Sequence, residues 1–186
     1  EEFGSQGDPR YQEMLEIIQD QASHLGRLVT DILDVTRGRA SRVSLDLRPW
    51  PADRLLARAA ASLPPAQAAA VDLQAPPGLF VLADAERIHQ VVVNLLANAL
   101  RYGGPPVVAR AESRHEQVCF QIHDAGPGVP RRYEAAIWQR FERGAFRHEG
   151  TAGSLGLGLP ISRALVEAHG GSIGYRRSPL LGGACF

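Results

Sequence analysis

The sequence predicts an α+β fold in two layers, with helices on one face of a mixed sheet and a long N-terminal helix in front. Three observations lead to this class. Strand-like and helix-like segments are mixed along residues 39–186 without the strict β-α-β alternation of a parallel sheet. Apolar residues repeat every three or four positions over residues 11–36, which is helical spacing. Hydrophobic residues make up 45% of the 186 residues, enough for a real core.

The N-terminal helix is predicted from a heptad pattern. Asp8 can cap its first turn, Pro9 suits the first helical position and Gly38 can end it, so the helix spans about 45 Å. Its apolar face is too broad for a simple helix pair and suits a helical bundle, which one helix cannot form alone. The residues of the seam are Tyr11, Leu15, Ile18, Ala22, Leu25, Val29, Ile32 and Thr36.

The later elements are predicted from turn residues and local periodicity. Val43–Leu47 alternates as a strand, Pro51 begins a helix that runs to Leu63, and Asp84 caps the helix that follows it. The other predicted elements are strands at 71–73, 79–82, 106–110 and 117–123 and a last helix at 160–169. We therefore expect three parts: a linker or tag with the first helix at 1–38, a linker with the first strand at 39–50, and a domain at 51–186.

The charge composition excludes several classes of protein. All 20 basic residues are arginine, and 20 acidic residues balance them. A P-loop NTPase and a eukaryotic-type protein kinase both need a lysine on the phosphates, so neither scaffold fits. The balanced charge and the low aromatic content disfavour nucleic-acid binding.

The cysteines and the hydropathy limit the environment. Cys119 and Cys185 have no C-x-x-C spacing and no histidine cluster, so we expect reduced thiols and not a metal or redox site. No apolar run approaches the 18 residues that cross a bilayer, and no signal-peptide pattern is seen, so we expect no membrane contact.

Three short motifs carry the chemistry of the chain. Asn94, Asn98 and Arg101 stand at i, i+4 and i+7, so on a helix they share a face where amide oxygens can hold a metal and a guanidinium can meet phosphate. Residues 124–128 place one carboxylate before a glycine turn. Residues 153–159 form a glycine loop before a helix, where backbone amides can approach an anion. Together these motifs indicate a nucleotide site.

The order and spacing of these motifs resemble the GHKL (Bergerat) ATP-binding fold, and within it the catalytic domain of bacterial sensor histidine kinases. Gln90–Tyr102 is similar to the N box, Asp124–Gly128 to the first glycine box, Trp138–Arg143 to the F box and Gly153–Ile161 to the second glycine box. The resemblance covers most of the chain. Glycine patterns alone are common in loops, whereas four boxes in order are specific.

The resemblance implies roles for residues of the N box. Asn98 is expected to coordinate Mg²⁺ through its neutral amide oxygen. Asn94 and Arg101 are the expected catalytic residues, and Arg101 stands where the family often has a lysine. Hydrolytic relatives carry a glutamate at the place of Asn94, and because an amide cannot act as a base, Asn94 favours phosphoryl transfer over hydrolysis.

The resemblance also implies which residues bind ATP. Asp124 is expected to accept a hydrogen bond from the adenine amine, worth roughly 1.5–3 kcal/mol and enough to select adenine over guanine. Ser154 stands where many members have another glycine, which makes the phosphate loop stiffer or differently placed. The expected ATP-binding residues are Asn94, Asn98, Arg101, Tyr102, Asp124, Gly126, Gly128, Ser154, Leu155, Gly156, Leu157, Gly158 and Leu159.

As a function, the resemblance implies transfer of the γ-phosphate of Mg·ATP to a histidine outside this chain. Residues 11–36 would be the second helix of the dimerisation and phosphotransfer domain, and His24 lacks the acidic neighbour of a phosphoacceptor. The implied partners are a second copy in the full-length parent, a phosphotransfer helix and a response regulator, in a bacterial cytoplasm. Two alternatives remain open: an anti-sigma-type serine kinase of the same fold, and a degenerate module for weak nucleotide binding and dimerisation.

Overall fold

A five-stranded mixed sheet organises the described part of the protein. The computed structural model describes residues 44–139 and 156–186, all within the compact unit Arg39–Phe186. The strands are β1 (Arg48–Pro51), β2 (Val71–Gln74), β3 (Phe80–Ala83), β4 (Val107–Arg114), β5 (Gln117–Asp124), β6 (Arg176–Arg177) and β7 (Ala184–Cys185). The large sheet has the order β2-β4-β5-β7-β6, with β2 parallel to β4 and the other neighbours antiparallel. Strands β1 and β3 form a separate antiparallel pair.

Helices cover one face of this sheet. They are α1 (Ala52–Ala61), the short α2 (Pro65–Ala68), α3 (Ala85–Asn98) and α4 (Gly158–Ala168). Helix α3 packs against both α1 and α4, and α1 also contacts β2 and β4. The side chains of Leu55, Leu56, Leu96 and Ile122 are almost fully buried in this layer, and each contributes roughly 1.5–3 kcal/mol through burial. The predicted α+β class, with helices on one face of a mixed sheet, is confirmed.

The start of α3 is capped by Asp84, as the sequence predicts. Its Oδ1 accepts hydrogen bonds from the backbone amides of Glu86 at 3.1 Å and Arg87 at 3.2 Å, while its Oδ2 accepts one from Asp46 at 3.2 Å. Burial alone would raise the pKa of Asp84, but the backbone hydrogen bonds from Arg87, Asp46 and Glu86 bring this pKa below its ordinary value. The carboxylate form is therefore part of the folded structure.

His169 joins the end of α4 to the beginning of α3. Its Nε2 accepts a hydrogen bond from the backbone amide of Asp84 at 3.1 Å, and its Nδ1 donates to the carbonyl of Leu165 at 2.7 Å. These two bonds require a neutral imidazole with the proton on Nδ1. The sequence assigned no role to His169, and the structure gives it a structural one.

The first strand lies later than predicted. Residues 44–47 form no strand, and β1 begins at Arg48 and pairs with β3, with Pro49 opposite Leu82 and Pro51 opposite Phe80. Proline lacks an amide hydrogen, yet a strand of a two-stranded pair has a free edge where that loss is tolerated. Helix α1 then begins at Ala52, with Pro51 as the extended residue before it.

The hairpin β4–β5 is longer than predicted. Both strands have eight residues and are joined by His115 and Glu116, whose φ angles are 45° and 64°. Two consecutive residues with positive φ are typical of the tight turns that match the twist of antiparallel strands. The extra length brings Asp124 opposite Val107, beside the parallel pair β2–β4.

Several predictions lie outside the described residues. These are the N-terminal helix with its seam and His24, the loop residues Ser154 and Leu155, and the F box from Arg140 onward. Among the helices of residues 44–139 and 156–186, none has the length and apolar character needed to cross a membrane.

We expect Asp84→Ala to destabilise the chain by about 1 kcal/mol, because two amides of the first turn of α3 lose their acceptor. The lowered pKa means that this stabilisation is present above the unfolded pKa of about 3.9 and disappears as the pH falls through the folded pKa. Urea unfolding at pH 7 and at pH 3 measures both effects. Asp72→Ala is a matched control, since the Asp72 carboxylate bonds only its strand neighbour Gln74 among the described residues. A difference between wild type and Asp84→Ala that did not shrink in acid would contradict this role.

Candidate functional site

Asp124 closes β5 and lies at the centre of the candidate site. Only 4% of this residue is exposed, and acidic residues are rarely buried so deeply without partners. Its Oδ1 accepts hydrogen bonds from the backbone amides of Gly126 and Ala184, both at 2.9 Å. Its Oδ2 accepts none from residues 44–139 and 156–186. One oxygen is thus anchored, and the other remains available to a donor on a ligand.

Three glycines make room for the Asp124 carboxylate. A Cβ added to Gly103 or to Gly183 would overlap the Asp124 side chain, and a Cβ added to Gly126 would overlap the backbone of Gly103. The turn after α3, the glycine loop and the approach to β7 therefore meet around one carboxylate because none of these residues has a side chain. The sequence predicted Gly126 and missed Gly103 and Gly183, although the doublets 103–104 and 182–183 are typical of turns.

The predicted glycine turns are also present. Gly128 has φ = 72° and Gly156 has φ = 69°, which is left-handed backbone that favours glycine. A Cβ added to Gly128 would lie 3.0 Å from the hydroxyl of Tyr175 and 3.4 Å from a guanidinium nitrogen of Arg177. The first glycine box therefore needs glycine for its conformation and for its packing.

Asn94 connects α3 to the start of α4. Its Nδ2 donates a hydrogen bond to Oγ of the buried Ser162 at 2.9 Å. A Cβ added to Gly158 would overlap the Asn94 carboxamide, with Oδ1 the nearest atom. The side chain of Asn94 is therefore oriented by α4, and its oxygen lies against the first residue of that helix. The close approach of the N box to the second glycine box depends on Gly158.

The other N-box residues follow along the same helix. Asn98 is half-buried and is the last residue of α3. The chain continues into a π-helical turn, Ala99–Gly103, which carries the exposed side chains of Arg101 and Tyr102. Because one turn of wider helix follows Asn98, Arg101 does not keep the regular α-helical spacing that the sequence predicted. Short π-helical segments are often found at functional sites.

Helix α3 and its π-helical turn, residues 85–103, form one continuous wall of the candidate site. At Asn94 this wall meets the start of α4, and nine residues later, at Gly103, it meets Asp124. The separation is about 13 Å at the helical rise. A single wall therefore brings together the N box, the carboxylate and the second glycine box.

The second glycine box is described from Gly156 onward. Leu157 is 2% exposed and packs in the core, so of this residue only the backbone can face a ligand, while Leu159 is half-buried. Helix α4 begins at Gly158, and the amide of Ile161 already donates to the carbonyl of Leu157 at 3.0 Å. The earlier amides of the helix N-terminus have the geometry that attracts anions. Ser154 and Leu155 lie outside the described residues, and their roles stay predictions.

A second buried polar group lies on the opposite face of β5. His123 is 1% exposed, with Nδ1 at 3.0 Å from Oγ of Ser178 and Nε2 at 3.7 Å from Sγ of Cys185. Burial lowers the pKa of His123, and the cations Arg176 and Arg110 lower it further. Burial also raises the pKa of the Cys185 thiol. A neutral imidazole beside a protonated thiol indicates packing and not a reactive centre.

Two carboxamides are the candidate metal-binding groups among the described residues of the site. Among the described residues, no group of three or more histidine, cysteine or acidic side chains has the arrangement of a metal site. The carboxamides of Asn94 and Asn98 are neutral oxygen donors, which suit a magnesium ion that keeps phosphate and water ligands. The donors present thus fit a metal that arrives with a nucleotide.

Residues 83–186 match the family model described as histidine kinase-, DNA gyrase B-, and HSP90-like ATPase. Among curated proteins, the sensor histidine kinase TcrY of Mycobacterium tuberculosis, named as probable, is 36% identical over 87% of this chain and 35% of its own length. Sensor protein KdpD of Escherichia coli is 31% identical over 100% of this chain and 21% of its length. AfsQ2 of Streptomyces coelicolor is 33% identical over 98% of this chain and 34% of its own length. The chain thus spans only about a fifth to a third of these relatives.

Solved structures show the same fold. Full-length ShkA in complex with AMPPNP is similar with a TM-score of 0.71 and 26% identity, over 97% of this chain and 38% of that one. The ATP-binding domain of PrrB from Mycobacterium tuberculosis has a TM-score of 0.56 and 28% identity, over 75% of this chain and 93% of that one. ThkA in complex with the response regulator TrrA has a TM-score of 0.68 over 96% of this chain and 51% of that one. Its sequence identity is 22%, so this similarity shows the fold alone.

We expect Gly103→Ala to destabilise the chain by about 1–3 kcal/mol, because the new methyl group overlaps the buried Asp124 side chain. Urea unfolding measures the loss. Gly174→Ala is the matched control: no heavy atom lies within 4 Å of its added Cβ and its φ is not positive, so its effect should stay within about 0.5 kcal/mol. Equal stability of the two variants would contradict the close packing of Gly103 against the Asp124 side chain.

Proposed function

The chain belongs to the family of histidine kinase-, DNA gyrase B-, and HSP90-like ATPases, and from this membership we propose that it is the ATP-binding catalytic part of a two-component sensor histidine kinase. Relatives from three bacteria are named as sensor or signal-transduction proteins. The observation that carries the proposal is the single wall of α3, which joins an anchored carboxylate at one end to a helix N-terminus at the other.

At the base end, Asp124 recognises adenine. The amides of Gly126 and Ala184 hold Oδ1, so Oδ2 is the oxygen that accepts a hydrogen bond from the exocyclic amine. Guanine presents a carbonyl at that position, which would face the carboxylate without a proton between them. A charged acceptor contributes roughly 1.5–3 kcal/mol to this choice.

At the phosphate end, the residues present fit a magnesium nucleotide. The N-terminus of α4 and Arg101 supply positive charge to the phosphates, while Asn98, with Asn94 beside it, supplies neutral oxygens for Mg²⁺. Bound magnesium would neutralise part of the charge that develops on the transferred phosphoryl group. Asn94 cannot take a proton from water, which favours transfer to a protein side chain over hydrolysis.

We also propose the acceptor of the γ-phosphate and the partner proteins. The γ-phosphate goes to a histidine on a phosphotransfer helix outside this chain, and from there to a response regulator, in a homodimeric parent. One protein of similar fold, ThkA, forms a complex with the response regulator TrrA, which supports a partner of this kind. Residues 1–38 as part of the dimerisation domain, the bacterial cytoplasm as the location and residues 51–186 as the catalytic domain stay predictions.

We expect Mg·ATP and Mg·ADP to raise the thermal unfolding midpoint of the 186-residue chain and Mg·GTP to leave it nearly unchanged. Ligand at 100 times its Kd adds about 2.7 kcal/mol, a shift of roughly 5–10 °C for a chain of this size. Asp124→Asn should abolish the preference for adenine while the midpoint without nucleotide stays close to that of wild type. Stabilisation without any adenine preference would favour the degenerate dimerisation module, and transfer to serine would favour the anti-sigma-type kinase.

We expect Asn98→Ala to remove the magnesium dependence of nucleotide binding without unfolding the chain, because one neutral oxygen ligand is lost at the end of α3. Calorimetric titration with ADP, in magnesium and in EDTA, measures the difference. Gln74→Ala is the control, because it removes a carboxamide from the edge strand β2. A magnesium effect of wild-type size in Asn98→Ala would exclude Asn98 as the ligand.

A further inference from the structure

Tyr175 holds the glycine loop through its hydroxyl group. The hydroxyl accepts a hydrogen bond from the backbone amide of Val129 at 2.9 Å and donates one to the carbonyl of the same residue at 3.3 Å. A single side-chain atom therefore satisfies both backbone groups of Val129. The loop from Gly126 to Val129 has no regular secondary structure, so such contacts determine its position.

Arg177 holds the same loop two residues earlier. Its Nη1 donates a hydrogen bond to the carbonyl of Pro127 at 3.3 Å. Tyr175 directly precedes β6 and Arg177 is its second residue, and both side chains reach the same loop. Gly128, between the two contacts, brings its backbone close to both side chains because it has no Cβ.

The ring of Tyr175 rests on a support that the sheet fixes. Its centroid lies 5.5 Å from that of Phe186, which in turn lies 6.0 Å from the ring of Trp138 in an edge-to-face arrangement. The backbone of Phe186 exchanges hydrogen bonds with Ile122 at 2.9 and 3.1 Å, so Phe186 continues the pairing of β7 with β5. The Tyr175 hydroxyl is thus held in place relative to the strand that ends in Asp124.

We propose that Tyr175 and Arg177 are positioning residues for the adenine end of the site. They hold the loop so that the amide of Gly126 reaches Oδ1 of Asp124 and Oδ2 faces the base. Neither residue belongs to the motifs that the resemblance assigns to ATP. The inference rests on the proposed function, because its consequence is measured as nucleotide affinity.

The test compares wild type with Tyr175→Phe in the 186-residue chain. The variant keeps the ring on Phe186 and loses both hydrogen bonds to Val129. We expect faster hydrogen exchange at the Val129 amide without nucleotide, and affinity for Mg·ADP weaker by about five- to tenfold in calorimetry. A merely structural role of Tyr175 would lower the unfolding midpoint without nucleotide and leave the affinity for Mg·ADP unchanged.

Arg177→Gln provides a second variant that keeps the aromatic support intact. It should weaken Mg·ADP binding by about two- to fivefold, since one hydrogen bond to Pro127 is lost. Arg48→Gln is the matched control, because Arg48 lies on β1 and forms its ion pair with Asp46. If Tyr175→Phe does not fold, the comparison of Mg·ADP affinity between Arg177→Gln and Arg48→Gln tests the proposal in its place.

The outcomes separate this inference from the proposed function. Wild type that binds Mg·ADP and prefers it to Mg·GDP, together with unchanged affinity in Tyr175→Phe and Arg177→Gln, would overturn the positioning role and leave the function intact. Wild type that binds no adenine nucleotide would reject the function and the adenine role with it. Unchanged exchange at Val129 in Tyr175→Phe would overturn the proposal without reference to any ligand.

Discussion

The hydrogen bonds to Oδ1 of Asp124 are the interaction on which the site depends. They join the end of β5 to the loop that follows it at Gly126 and to the strand β7 at Ala184, 60 residues further along the chain. A buried carboxylate is stable only when its charge is compensated, and here backbone amides provide that compensation. No described residue donates a hydrogen bond to Oδ2, so in the proposed function burial and recognition use different oxygens of one side chain.

Close packing around glycine connects this carboxylate to the rest of the fold. Gly103 and Gly183 admit the Asp124 side chain, while Gly158 admits the carboxamide of Asn94. In each case a missing Cβ lets a backbone approach a polar side chain that the proposed function uses. The glycines of this chain therefore act through contact as well as through conformational freedom, and contact of this kind holds α3 between β5 and α4.

Local motifs predicted the polar residues of the candidate site, but not the residues that hold its glycine loop. Asn94, Asp124 and Gly126 were identified because their motifs are local, and the structure connects them through one helix. Tyr175 and Arg177 were missed because they contact the glycine loop from almost 50 residues away. Nothing in their sequence neighbourhood distinguishes them from surface residues of an edge strand.

By itself, the sequence determined the α+β class, the cap at Asp84 and the order of the nucleotide motifs, because capping, periodicity and glycine spacing are local properties of the chain. Only the tertiary structure decided which oxygen of Asp124 is anchored, that Asn94 faces Ser162, and that β1 starts at Arg48 and pairs with β3. These features depend on which distant segments meet and at what distance, and hydrophobic patterning specifies that a segment is buried without specifying its neighbour.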